Sequence, residues 1–289
     1  MEPVRYYFDE SGEKGFLTSS FSASDIGLIA GIALPARVAL ALEAETDSIL
    51  ARLDTTGIDK LHATELFKDG KNLEVRDSLL EFLRNRNEWL LVYEAIYPLG
   101  LYKSNESIQQ LLAKTKPNNT SVKVAKNERY LRIYTELLKG VVIKLDAVCQ
   151  TEESSDLLMI SDRLDEGIHR EALQLLDHLK QKVHVKKISG FDTVTKKVVH
   201  STLKSSIQGF DATVRYVTDI RTETAPSNLT IVADIVTNTL YRHLKSVVKE
   251  NPNIRLHSNA AVKGFQLLNR IAFVSDSYIA DSMYSPKDL

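Results

Sequence analysis

Three aspartates carry the clearest chemical signals in this chain. Asp9 ends the run Val4-Arg5-Tyr6-Tyr7-Phe8-Asp9, whose aromatic residues favour a half-buried strand, and Ser11-Gly12 followed by Gly15 supplies a turn directly after it. A carboxylate where a strand emerges into a turn is a common metal ligand; the competing role is that Asp9 and Ser11 simply form the turn. Asp162 closes the apolar run Leu157-Leu158-Met159-Ile160-Ser161. Ligands bind at the carboxyl ends of strands in open α/β sheets, so this Asp has a functional position, or else it caps the following helix, for which Asp165 is better placed. Asp234 is the only ionisable residue from Leu229 to Val236. A lone carboxylate on a helix buried nearly all round costs several kcal/mol unless a proton, a basic partner or a metal neutralises it. Thr237 and Asn238 share its helix face and could assist it.

Other residues form a second rank. Glu10 points to the opposite face of its strand from Asp9. His62 and Glu65, if helical, lie on one face at a spacing that allows joint metal binding or a His–carboxylate pair, or else a solvated His beside a surface Glu. Asp219 terminates a strand expected over Ala212 to Thr218, much as Asp162 terminates its own. From Lys180 to Lys204 there are seven lysines and two histidines, His184 and His200, against the single acid Asp192. Loose alternation there suggests short strands or a hairpin, and a basic ribbon with few aromatics suits contact with a phosphate backbone without base readout. Lys186, Lys187, Lys196 and Lys197 are its candidate contacts. Lys114, Lys116, Lys123, Lys126, Arg129 and Arg132 form a second basic group, either a binding patch or a solvated face.

The elements that must position these groups follow from pattern. Ile26 to Leu34 is apolar on both faces and reads as a central strand. Pro35 opens a helix to about Leu53, Asn72 to Arg86 is a second, and Trp89 to Tyr97 is a third strand. A helix and a polar loop fill 99 to 125, a long helix runs from about Ala125 to Cys149, and another from Glu166 to Lys182. Ser227 is a plausible N-cap for the last core helix. The chain is therefore expected to hold one α/β domain over residues 1–250 and a C-terminal extension over 251–289, with a helical stretch near Ala260 to Phe273.

Composition narrows the function classes. A net charge of −1 gives no global steering toward nucleic acid, so such binding needs local patches. The single cysteine, Cys149, excludes an intrachain disulfide and a multi-thiolate zinc site, and it reads as a small core residue. The longest apolar run, Ile26 to Leu34, is too short to span a bilayer, and the chain enters a strand without a leader, so a cytoplasmic protein with no membrane partner is expected.

Tyr7-Phe8-Asp9-Glu10-Ser11-Gly12 also resembles the opening signature of a mostly microbial family catalogued as domain of unknown function 3800, which is similar in fold to ribonuclease H. Leu61-His62-Ala63-Thr64-Glu65, Ile160-Ser161-Asp162-Arg163 and Val232-Ala233-Asp234-Ile235 follow in the family's order. The chain departs at Ile231, where the family often has Gln. The resemblance implies a ribonuclease-H-like mixed sheet flanked by helices, with helical insertions between the second and third strands. It implies further that Asp9, Asp162 and Asp234 meet at one sheet edge to hold Mg²⁺ or Mn²⁺, two ions roughly 3.5–4 Å apart that drive phosphodiester cleavage. Glu10, His62, Glu65 and Asp219 then serve as ligands or proton carriers, and a helix Glu, either Glu128 or Glu136, is expected as well. The implied activity is a nuclease acting on DNA or RNA. Two alternatives stand beside it. One is a nucleotide phosphohydrolase, which would want a Gly-rich phosphate loop after the middle strand. The other is a non-catalytic partner-binding protein that keeps the fold with a degenerate site.

Overall fold

The computed structural model describes residues 2–58, 61–114, 122–124, 131–151, 156–181, 184–205, 213–223 and 227–276. Its first strand, β1 (Val4–Gly12), hydrogen-bonds antiparallel to β2 (Gly27–Pro35). Helix α1 (Ala36–Leu50) follows Pro35 directly, then a single turn α2 (Ala63–Leu66) and α3 (Leu73–Arg84). Strand β3 (Leu90–Ile96) returns antiparallel to β2 and leads into α4 (Pro98–Lys114) and the three-residue β4 (Val122–Val124). Next come α5 (Ile133–Thr151), β5 (Leu157–Ser161), α6 (Glu166–Leu179), the hairpin β6 (His184–Asp192) and β7 (Lys197–Ser205), and β8 (Val217–Thr222). The long α7 (Asn228–Glu250), the single turn α8 (Asn259–Val262) and a 3-10 turn at Leu268–Arg270 close the order.

Five strands form one mixed sheet in the order β3-β2-β1-β5-β8, with β5 parallel to β1 and β8 parallel to β5. Alternation along β1 explains the two layers on it. Tyr6 and Phe8 face a core shared with α5 and α6, whereas Tyr7 faces the core under α1, α3 and α7. The protein is thus an α/β fold with a mixed sheet between helical layers. β4, β6 and β7 make a separate small sheet. Among the described residues no helix is long and apolar enough to cross a membrane.

Several boundaries differ from the sequence expectation, each for a local reason. Leu17 N–H donates to Leu131 O at 2.8 Å and Phe16 bridges Arg132, so residues 131–132 pair as extended chain and α5 starts only at Ile133. The strand expected over Ala212 to Thr218 is β8, at Val217–Thr222. It is a sheet edge with one solvated face, so its polar residues Asp219, Arg221 and Thr222 lie inside the strand rather than beyond it. The helix expected near Ala260 to Phe273 is one turn long, because Lys263 is extended and Gly264 sits at φ +83°.

The segment after α7 covers the outer edge of β3. Ala272 N–H donates to Leu91 O at 2.9 Å, and the Tyr93 and Tyr97 hydroxyls each donate at 2.8 Å to Leu256 O and Ile254 O. An uncovered edge strand invites pairing with other chains, and this segment removes that edge from solvent. A buried ion pair stands beside it: Lys144 Nζ of α5 lies 3.0 Å from Glu94 Oε2 of β3 and donates to Tyr93 O at 2.7 Å. Gly140 faces Glu94 one helical turn before Lys144, where any Cβ would collide with that carboxylate.

Candidate functional site

Asp9 stands near the end of β1, opposite Ala30 in the β1–β2 ladder. Thr237 of α7 donates its hydroxyl to Ala30 O at 2.9 Å. That bond fixes α7 against the sheet at the height of Asp9, and Asp234, nearly one turn earlier, meets Asp9 there. The N-terminus of α7 is set by a capping box, in which Ser227 and Thr230 satisfy each other's backbone N–H groups. Thr237 is thus an anchor for the helix, and the expectation that it assists Asp234 directly is corrected.

His62 enters from the other side. It is the N-cap residue of α2 with extended φ/ψ, so it does not share a helix face with Glu65 as the spacing suggested. Ala63 and Leu66 are fully buried and hold the turn in place. The Ala63 N–H donates to Asp234 Oδ2 at 2.8 Å, and His62 Nδ1 lies 3.5 Å from the same oxygen. Asp162 follows the last residue of β5, which runs parallel to β1 and so delivers it to the same edge. Asp9, His62, Asp162 and Asp234 then line one narrow, partly open cleft, with Leu61, Thr230 and Ile231 as its other walls. At Ile231, where a Gln was the expected residue of the family pattern, the cleft has an apolar wall.

The electrostatics are those of crowded acids. Burial pushes the Asp9 carboxyl well above the usual carboxylate range; the charges of Asp234 and Glu10 and a side-chain hydrogen bond with Asp234 push the same way. The Asp9 carboxyl therefore holds a proton more readily than it would in water, with Asp234 as its hydrogen-bond partner. Asp162 Oδ1 and Glu10 Oε2 are buried without a hydrogen-bond partner, and so is the Tyr134 hydroxyl. Unpartnered buried oxygens are costly, so each is a place where a water or a cation would be accepted.

Other candidates lie elsewhere. Glu65 is more than half exposed and pairs with Lys68 at 3.8 Å, outside the cleft. Asp219 points away along β8, with Oδ2 3.0 Å from Arg221 Nε. Its expected place at the strand end belongs to Glu223, whose N–H donates to Ser161 O at 2.9 Å and whose Oε2 is buried without a partner. The polar edge strand hid Glu223, because its last apolar residue, Ile220, comes too early to mark the end. Glu10 faces α5, where its Oε1 is 2.5 Å from Lys14 Nζ. Glu136 is turned to Lys139 at 3.6 Å, and Glu128 lies outside the described residues. Lys196 and Lys197 are exposed at the turn of the β6–β7 hairpin, while the side chains of Lys186 and Lys187 lie outside the described residues. So do those of the second basic group, except Arg132, which stacks 4.3 Å over Phe16 and pairs with Glu171 at 3.1 Å.

The donor set fits a hard divalent cation such as Mg²⁺ or Mn²⁺: carboxylate oxygens dominate, one of them unpartnered, with a single imidazole at the rim. The donors are not already drawn onto one point, since among the described residues no three His, Cys, Asp or Glu side chains converge as a ready-made metal cluster. No family model, no curated protein and no solved structure matches the chain.

Proposed function

We propose that the chain is a divalent-metal-dependent nuclease, acting in the cytoplasm on a nucleic-acid phosphodiester from a ribonuclease-H-like fold. One observation carries this reading: Asp9 of β1, Asp162 beyond β5 and Asp234 of α7, far apart in sequence, line one cleft with His62. The sheet order, with three antiparallel strands and then two parallel additions on the β1 side, is the arrangement expected of that fold and supports it.

A Mg²⁺ or Mn²⁺ ion bound here would supply a polarised phosphoryl oxygen and a water acidic enough to attack at neutral pH. The residues do the rest. Asp9, Asp162 and Asp234 provide oxygen ligands, and the Ala63 N–H holds Asp234 Oδ2 in a fixed direction. His62, less than half exposed at the rim, is placed to carry a proton between the cleft and solvent. Lys196 and Lys197 offer positive charge to a phosphate backbone that extends beyond the cleft.

A second reading, a non-catalytic binding protein with a degenerate site, draws on the lack of a preassembled donor cluster among the described residues. One experiment separates the two. Labelled single- and double-stranded DNA and RNA are incubated with the protein in Mn²⁺, in Mg²⁺ and in EDTA, beside Asp9→Asn, Asp162→Asn and Asp234→Asn. Cleavage that needs the metal and all three aspartates is expected. Cleavage surviving EDTA, or none on any of the four substrates, overturns the nuclease reading.

A further inference from the structure

The far side of Asp9 holds a cation already. Gly12 turns β1 at φ +76°, and Lys14 folds back so that its Nζ lies 2.5 Å from Glu10 Oε1. The root of this lysine is fixed rather than loose: Tyr134 N–H donates to Lys14 O at 3.3 Å, and Ile133 N–H to Gly15 O at 3.0 Å. Partial burial works against its charge, yet Glu10, then Asp9 and Asp165, hold its pKa above the ordinary lysine value. Lys14 therefore stands in the combined field of two carboxylates on β1 and a third beyond β5.

Its neighbours are oxygen donors of the kind a divalent cation takes, with water to complete the set. Glu10 Oε2 has no partner, and Tyr134, 2 % exposed and set on the same face of β1, has an unpartnered hydroxyl. Helix α5 brings no carboxylate here: Tyr134 is its side chain in this direction, and Glu136 is engaged by Lys139. An ammonium is a compact point charge with three donors, and it neutralises two nearby carboxylates without needing further oxygen ligands.

We propose that the Lys14 ammonium is a tethered counter-ion filling the position beside Glu10 and Asp9 that a second divalent cation would otherwise take, so that the chain binds one metal ion. This rests on the reading of Asp9, Asp162 and Asp234 as metal ligands, and it replaces the two-ion expectation with one ion and one lysine. Lys14 positions Glu10 and compensates its charge; it is not assigned a contact with substrate.

Counting bound Mn²⁺ on the full chain, by calorimetry and by the electron-spin signal of free Mn²⁺, tests this without any activity assay. The wild type should bind one ion per chain. Lys14→Met should bind two, and Lys14→Met with Glu10→Gln should return to one. Lys14→Gln serves as the second neutral variant if Lys14→Met does not fold. Two ions on the wild type overturn the proposal even if neither variant folds, and a folded neutral variant that still binds one ion overturns it as well. Both results leave the metal reading intact. No ion on the wild type overturns both.

Discussion

The backbone N–H of Ala63 donates to Asp234 Oδ2 at 2.8 Å, joining the turn after α1 to the N-terminal third of α7. This bond gives Asp234 one neutral donor, and no Arg or Lys pairs with it among the described residues. Its other close neighbour is Asp9, whose raised pKa lets it stand protonated and hydrogen-bonded to Asp234. Asp234→Asn keeps an acceptor for Ala63 and removes the repulsion. The metal-free protein should become more stable, by about 1 kcal/mol, while stabilisation by Mn²⁺ disappears. Thermal melts with and without Mn²⁺ check it. A variant that melts lower without metal, yet still gains from Mn²⁺, shows that Asp234 is structural.

Much of this site was legible because strand ends and helix caps leave local marks. Ile160-Ser161-Asp162 and the Ser227 cap fall where pattern put them, whereas Asp9, expected where the strand gives way to a turn, lies inside β1, which stays paired to β2 through Gly12. What pattern could not supply was direction. His62 and Glu65 are three residues apart, yet the cap geometry sends His62 into the cleft and leaves Glu65 in solvent. Asp219 and Glu223 exchanged roles because an edge strand alternates with solvent and blurs its own end. Pairings across long sequence separations, such as Glu94 with Lys144, leave no periodic signal at all.

That pair predicts a stability effect far from the cleft. Glu94 and Lys144 are both nearly inaccessible, so Lys144→Met removes the cation from a buried carboxylate, leaving His257 3.8 Å from its other oxygen, and should cost about 3–5 kcal/mol. Adding Glu94→Gln should restore most of the loss, because two neutral groups need no mutual compensation. Urea unfolding of the three proteins reads this directly. A single-variant loss below about 1 kcal/mol, the size of an exposed pair, would mean that solvent reaches the pair.

The hairpin makes a different kind of prediction. If Lys186, Lys187, Lys196 and Lys197 meet phosphates, replacing all four with Gln should weaken nucleic-acid binding and flatten its dependence on salt, by about 0.9 in log–log slope per lost duplex contact. Sequence preference should not change, since backbone contacts carry none. Fluorescence anisotropy across a salt series measures both. An unchanged slope returns the hairpin lysines to a solvated surface.

His243 links α7 to the segment that covers β3, and it predicts how that link responds to acid. Its Nε2 lies 3.0 Å from Ala261 O, and its ring packs 5.4 Å from Phe265. Burial lowers its pKa below the ordinary imidazole value, and the Ala261 carbonyl only partly opposes this. The folded chain thus prefers the neutral ring, while the unfolded chain takes up a proton at about pH 6.5. The resulting stability is fully present above that pH and is lost as pH falls through the lower folded value. Asp9 has the opposite sign, since its raised pKa favours the folded state in acid, so total stability mixes the two. Comparing wild type with His243→Gln isolates the histidine. Urea unfolding from pH 7.5 to 5 should show the wild type losing stability relative to the variant on acidification, with amide exchange rising first in residues 254–276. Parallel curves for the two proteins would show that His243 keeps its ordinary titration and that the link between α7 and the β3 cover does not respond to acid.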